Sequence, residues 1–106
     1  MKTASWLGGL TVLLGLAVPA LAQADQALAQ KNACMACHAA DKKLVGPAFQ
    51  DVARKYAAQA DAQAYLAKSI KAGGSGKWGA VPMPAQPALS DADTQTLAAW
   101  ILKGSK

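Results

Sequence analysis

Histidine occurs once in the 106 residues and cysteine only twice. Each scarcity narrows the chemistry. A structural zinc site takes four Cys or His ligands, and two thiols with one imidazole are too few. A thioredoxin-like redox pair belongs in a strand–helix–strand context, and no convincing strand is legible here. No basic run interleaved with aromatics marks a nucleic-acid surface. The apolar run from Trp6 to Val18 is thirteen residues long, short of the ~20 that a membrane-spanning helix needs. Internal repeats are absent.

What that apolar run does offer is export. Lys2 supplies a positive start, Pro19 breaks the run, and Ala20-Leu21-Ala22 and Ala22-Gln23-Ala24 place small residues at a cleavage position. This is the grammar of a secretory signal peptide. No cysteine follows it directly, so a lipid-anchored form is not expected. Removal of residues 1–24, with cleavage after Ala22 as the alternative, leaves residues 25–106 as one domain of 82 residues. So small a core must offset about 1.5 kcal/mol of ordering entropy per residue. A staple is therefore expected, either one disulfide or one cofactor. The charge is mildly basic, +5 for the full chain, which suits steering of an acidic partner protein more than nucleic-acid binding.

The remainder reads as helices joined by Gly/Pro loops. Asp25 to Lys31 is rich in Ala, Gln and Leu and helical by propensity. Asp41 to Pro47 reads as a loop. Phe49, Val52, Ala53 and Tyr56 recur at helical spacing. Asp61 is placed to N-cap a third helix carrying Tyr65, Leu66 and Ile70, and Gly73 and Gly74 end it. Ser90-Asp91-Ala92-Asp93 opens a last helix with Leu97, Trp100 and Ile101 at core spacing. Lys103 sits in its last turn and Gly104 stops it. The segment from Ala72 to Leu89 holds four glycines and three prolines around Trp78 and Met83. A loop of that length in a small domain is functional or disordered.

The chemistry concentrates in Cys34-Met35-Ala36-Cys37-His38. Cys-x-x-Cys-His is the attachment pattern of a covalent c-type haem. Two thiols three residues apart each add to a vinyl group of one porphyrin, and the adjacent imidazole ligates the iron. His38 then needs an acceptor for its other ring nitrogen. The carbonyl of Pro47, held stiffly by the proline ring, is the candidate. Pro47 also suits the first position of the following helix.

A second histidine ligand is excluded, because none exists. Methionine is the remaining soft ligand. Met1 leaves with the signal, and Met35 lies between the two anchors. Met83, 45 residues past His38, is flanked by Pro82 and Pro84, which stiffen its loop. Met83 is the expected sixth ligand, and His/Met pairing raises the potential. An open sixth position that binds gases or peroxide is the alternative, and a gap-filling core Met the bland one. Gly73, Gly74, Gly76 and Gly79 permit close approach of backbone to a flat ring, or simply make a flexible linker. Trp78 is a candidate donor to a haem propionate or a packing residue. Gln86 is a candidate partner for the methionine sulfur or a nearby carbonyl.

These segments together resemble a known family. Ala33-Cys34-Met35-Ala36-Cys37-His38, Val45-Gly46-Pro47-Ala48-Phe49, Gly76-Lys77-Trp78-Gly79, Val81-Pro82-Met83-Pro84 and Leu97-Ala98-Ala99-Trp100-Ile101-Leu102 look like the small bacterial class I cytochromes c of the c-551/c-552 type. The resemblance spans the whole expected mature chain. It implies an all-α fold of about four short helices around one covalent haem c. Cys34 and Cys37 would be the thioether anchors, and His38 and Met83 the axial ligands. Pro47 matches the acceptor for the imidazole and Trp78 the propionate partner. Gln86 stands where many relatives have Asn, and Ser69 where many carry a cation near the inner propionate.

The function implied is that of a soluble, monomeric, periplasmic one-electron carrier rather than an enzyme. Its partners would be transient redox proteins: a periplasmic reductase, a terminal oxidase or a quinol-oxidising complex. Val45, Ala80 and Val81 would form an apolar docking surface, with Lys42, Lys43 and Lys77 orienting the partner. The competing readings are a haem enzyme or gas/peroxide sensor with an open distal site, and an assembly subunit with a structural haem.

Overall fold

The computed structural model describes residues 20–106 continuously and, before them, Thr3, Gly8, Gly9, Thr11 and Gly15. More than half of the expected signal peptide, residues 1–24, therefore lies outside the described residues. The architecture is all-α. Four helices follow in order: α1 (Ala20–Lys31), α2 (Phe49–Tyr56), α3 (Ala62–Ala72) and α4 (Asp91–Leu102), with one 3₁₀ turn at Cys34–Ala36 between the first two. Among the described residues the only ladder-like pairings are two isolated ones, His38 with Lys43 and Gly74 with Met83.

The local sequence accounts for most of these bounds. α1 begins upstream of the expected Asp25, because the Ala/Leu/Gln composition continues back to Ala20 and favours helix throughout. Both cleavage positions considered fall inside it. Pro47 is not the first helical residue of α2. Ala48 holds the N-cap with extended ψ and Phe49 begins the helix. Asp51 in the first turn and Arg54 and Lys55 in the last suit the helix dipole. Asp61 occupies the N-cap position of α3, but its side chain makes no cap. Its carboxylate instead accepts from Gln59 Nε2 at 2.9 Å.

α4 carries the expected caps. Ser90 Oγ accepts from the Asp93 amide at 3.0 Å. At the other end Gly104, with φ +86°, lets its own amide reach Ile101 O at 2.9 Å and that of Ser105 reach Trp100 O at 3.0 Å, the paired bonds of a Schellman stop.

α4 packs against α1, α2 and α3 and is the centre of the domain. Ala29 on α1 and Ala98 on α4 are both fully buried, and such small side chains keep helices close. Leu97, Trp100 and Ile101 join Phe49, Val52 and Tyr56 of α2 and Leu66 and Ile70 of α3 in one core. Each such side chain contributes about 1.5–3 kcal/mol by burial. All eight of these residues also line a cavity.

Candidate functional site

The first wall of that cavity is the turn after α1. Ala33 adopts a left-handed φ of +59°, which redirects the chain. The 3₁₀ turn then closes with the His38 amide on Cys34 O at 2.9 Å. Cys34 and Cys37 are free thiols, both half-buried. Burial pushes the pKa of Cys34 above its ordinary value, against a weaker lowering by a backbone hydrogen bond. A redox-active thiol needs the opposite shift.

His38 is fixed from three sides. Its Nδ1 donates to the carbonyl of Pro47 at 2.7 Å, which sets the tautomer and leaves the Nε2 lone pair available. Its ring stacks on Phe49 at 4.9 Å and 17°, and Phe49 meets Trp100 edge to face at 5.3 Å. Gly46 closes the third side. A Cβ there would lie 2.6 Å from His38 Cε1 and 2.9 Å from Nδ1. The loop is tied back by the Gly46 amide on Cys37 O at 2.8 Å and the Phe49 amide on Ala39 O at 2.9 Å.

The facing wall comes from the Gly/Pro segment. Met83 exchanges two backbone hydrogen bonds with Gly74, at 3.0 and 2.7 Å. Gly73 turns the chain out of α3 with φ +67°, and a Cβ there would meet Met83 O and Ala85 N, each at 2.6 Å. Met83 is half-buried against the core. Met35 also packs on the core but does not line the cavity.

The cavity measures about 250 Å³ and brings together Cys34, Cys37, His38, Pro47, Trp78 and Met83. Gln86 is outside it. That residue's amide donates to Lys71 O at 3.1 Å, which moors the loop to the end of α3. Trp78 stands at the rim, 39% exposed, with Lys55 Nζ 4.4 Å from its ring centroid. Val45 and Val81 are exposed at 55% and 63% and line the same mouth with Ala80. Sequence reasoning missed the steric role of Gly46, the Phe49 stack, and a contact of Lys77 with Ser69 at 3.4 Å. Gly46 had a signal in its place beside Pro47. Lys77 had none, because a loop has no periodicity to relate it to a helix.

The Cytochrome c family model matches residues 22–105. Cytochrome c-552 of Nitrosomonas europaea is 54% identical over 102 residues, covering 96% of this chain and 97% of the relative. The chain belongs to the cytochrome c family. Cytochrome c-551 of Pseudomonas aeruginosa is 52% identical over 87 residues, covering 82% of this chain and 83% of that one. The crystal structure of wild-type Nitrosomonas europaea cytochrome c552 superposes with a TM-score of 0.73 at 53% identity, over 74% of this chain and 98% of that one. The expected small class I c-type fold is thereby found, and with it one covalently attached haem c and electron transport as the general role.

The residues present fit a haem. The cavity is walled by Val52, Leu66, Ile70, Leu97 and Ile101, as a flat apolar macrocycle requires. The donor set is one imidazole with a free lone pair, one thioether and two unpaired thiols. Trp100 Nε1, on the cavity wall, is the buried side-chain polar atom without a partner among the described residues. An orphan donor costs about 1–3 kcal/mol, so a guest bearing acceptors suits this cavity better than a purely apolar one.

Proposed function

We propose that this cytochrome is a soluble periplasmic carrier whose haem is anchored by Cys34 and Cys37 and closed axially by His38 and Met83. The observation that carries the reading is the convergence of those four side chains on one cavity from two separate segments. When bound, the haem iron supplies a one-electron ferric/ferrous couple. The protein's part is to hold and shield. Pro47 and Gly46 fix the His38 ring so that Nε2 presents a neutral lone pair. The Gly74 pairing sets the backbone of Met83, whose thioether would serve as the second ligand to a bound haem iron. A closed pair of ligands excludes oxygen and peroxide.

The cavity lining holds no carboxylate and no second imidazole among the described residues. An enzyme or peroxide sensor would lack the carboxylate or second imidazole that most often serves as its acid–base group. The exposed Val45, Ala80 and Val81 around the mouth suit a small transient contact with larger respiratory redox proteins. Lys42 and Lys43 are exposed beside it and orient an acidic partner, an effect that salt screens. The export pattern of residues 1–24 supports a periplasmic location, and no described helix is long and apolar enough to cross a membrane.

Redox titration with visible spectra, on protein taken from the periplasmic fraction, tests the reading. The expected result is one reversible one-electron wave, low-spin spectra in both states and rapid exchange with a soluble redox protein. A high-spin ferric form that binds peroxide, or protein retained in the cytoplasm, would overturn it.

A further inference from the structure

Two lysines, Lys55 and Lys77, share one aromatic cluster beside the cavity, and neither is paired with a carboxylate among the described residues. Lys77 Nζ lies 3.4 Å from Ser69 Oγ and 4.5 Å from the centroid of Tyr65. Lys55 Nζ lies over Trp78, at 4.4 Å, and Tyr56, at 5.7 Å, and donates to the carbonyl of Lys77 at 3.1 Å. The ion pairs among the described residues are Arg54 with Asp51 and Lys71 with Asp91, and neither lysine of the rim takes part. The groups that face them are Ser69 and Tyr65 from α3, Tyr56 from α2 and Trp78 from the loop, all uncharged in their ordinary forms. Aromatic faces attract a cation by about 0.5–2 kcal/mol, but they do not cancel the repulsion between two like charges.

Hydrogen bonding to Lys77 pulls the Tyr65 pKa down, with the charges of Lys77 and Lys55 acting in the same direction against burial. An anionic guest of the cavity would complete this rim, because Ser69, Lys77 and Trp78 all line it. A c-type haem brings two carboxylates, on the edge away from its thioether bonds. Those bonds are made at the other end of the site, at Cys34 and Cys37.

We propose that Lys77, seated on Ser69, is the counter-cation of the haem carboxylates in this chain. The proposal rests on the haem placement given above. Ser69 carries no charge, so the loop delivers to its hydroxyl the cation that α3 does not provide. Lys55 braces the arrangement through the Lys77 carbonyl and the Trp78 ring. Lys77 is therefore a positioning and tuning residue and is taken from the set of lysines that steer partners. A cation here keeps the carboxylates ionised. It also opposes the extra positive charge of ferric iron, which raises the midpoint potential.

Potentiometric titration across a pH series, on haem-loaded protein at fixed ionic strength, tests this with three variants. Lys77→Met is expected to raise the ferric-to-ferrous ratio at a given potential about threefold to tenfold, the upper figure being ~59 mV for one electron. The same change should move the carboxylate-linked step in the potential to higher pH. Lys77→Arg should retain the parent potential. Ser69→Lys added to Lys77→Met should restore it, by putting the cation back on the helix. A Lys77→Met protein with the parent's potential and pH profile would overturn the proposal, as would a Lys77→Arg potential that falls equally far. Acid extraction separates this from the anchoring claim. Haem that extracts from the parent protein would refute thioether attachment, yet the potential series would still judge Lys77, since the carboxylates are common to both kinds of haem.

Discussion

The segment from Cys37 to Phe49 and the segment from Gly73 to Leu89 face the same cavity and are built differently. The first is short and tied at several points: the Pro47 carbonyl, the Phe49 ring and the absent Cβ of Gly46 each constrain His38. The second is longer and its residues from Gly74 to Pro82 are all exposed. One backbone pair with Gly74 and the turn at Gly73 set the position of Met83. The His38 side is thus over-determined, whereas the Met83 side depends on two glycines and on the group between them. Loss of one contact should be tolerated on the first side and propagated on the second.

Removing the shared group tests both sides at once and should have the largest effect. Cys34→Ala with Cys37→Ala leaves no thioether anchor. The resulting haem-free chain should be largely unfolded or molten, without a sharp thermal transition. Native-like cooperative unfolding by circular dichroism would show that the helices hold the cavity open alone.

A matched pair of alanine substitutions then separates the two sides. Gly73→Ala puts a Cβ at φ +67° and against backbone at 2.6 Å. The backbone strain and the clash together cost about 2–6 kcal/mol. Gly46→Ala meets a side chain rather than backbone, and about 1–3 kcal/mol is expected. Denaturant unfolding of the ferric proteins measures both. If Gly46→Ala proved the more damaging, the contrast drawn between the two loops would be wrong.

Smaller effects sharpen the picture. Ala33 holds a left-handed φ of +59°, a conformation that glycine adopts freely. Ala33→Gly should raise stability by about 0.5 kcal/mol, the αL penalty outweighing the entropy that glycine adds to the unfolded chain. A lower melting temperature would count against this. Smallest is the pair of Lys71 with Asp91 at 2.6 Å, between the end of α3 and the start of α4. Hydrogen bonding to Lys71, then its charge, holds the Asp91 pKa below the ordinary carboxylate range. The contribution is therefore present above that range and lost as pH falls through the lowered value. It is small because Asp91 is largely exposed and Lys71 partly so. Asp91→Asn should remove this acid-side difference and leave neutral-pH stability nearly unchanged.

Much of this was legible in the residues. Chemistry-bearing positions announced themselves by rarity: a single histidine beside a spaced cysteine pair, and a methionine between two prolines. Helical periodicity placed α2, α3 and α4, because their apolar residues face one core. What escaped was contact between segments with no common period. Asp61 stands where a cap belongs, but Gln59 takes its carboxylate. Pro47 precedes its helix by two residues, because its carbonyl is committed to His38. Lys77 was read as a steering charge, and its ammonium also reaches Ser69 and Tyr65. Gln86 was a candidate partner for the methionine sulfur or a nearby carbonyl, and its backbone N–H also ties the loop to Lys71 O at the end of α3.

The claim on which the rest depends is that Met83 closes the site opposite His38. The far-red sulfur-to-iron charge-transfer band of the ferric protein reads that bond directly. It is expected in the parent protein and lost in Met83→Ala, which should retain its haem, turn at least partly high-spin and bind added ligands. A parent spectrum without the band, or a band that survives Met83→Ala, would contradict the account.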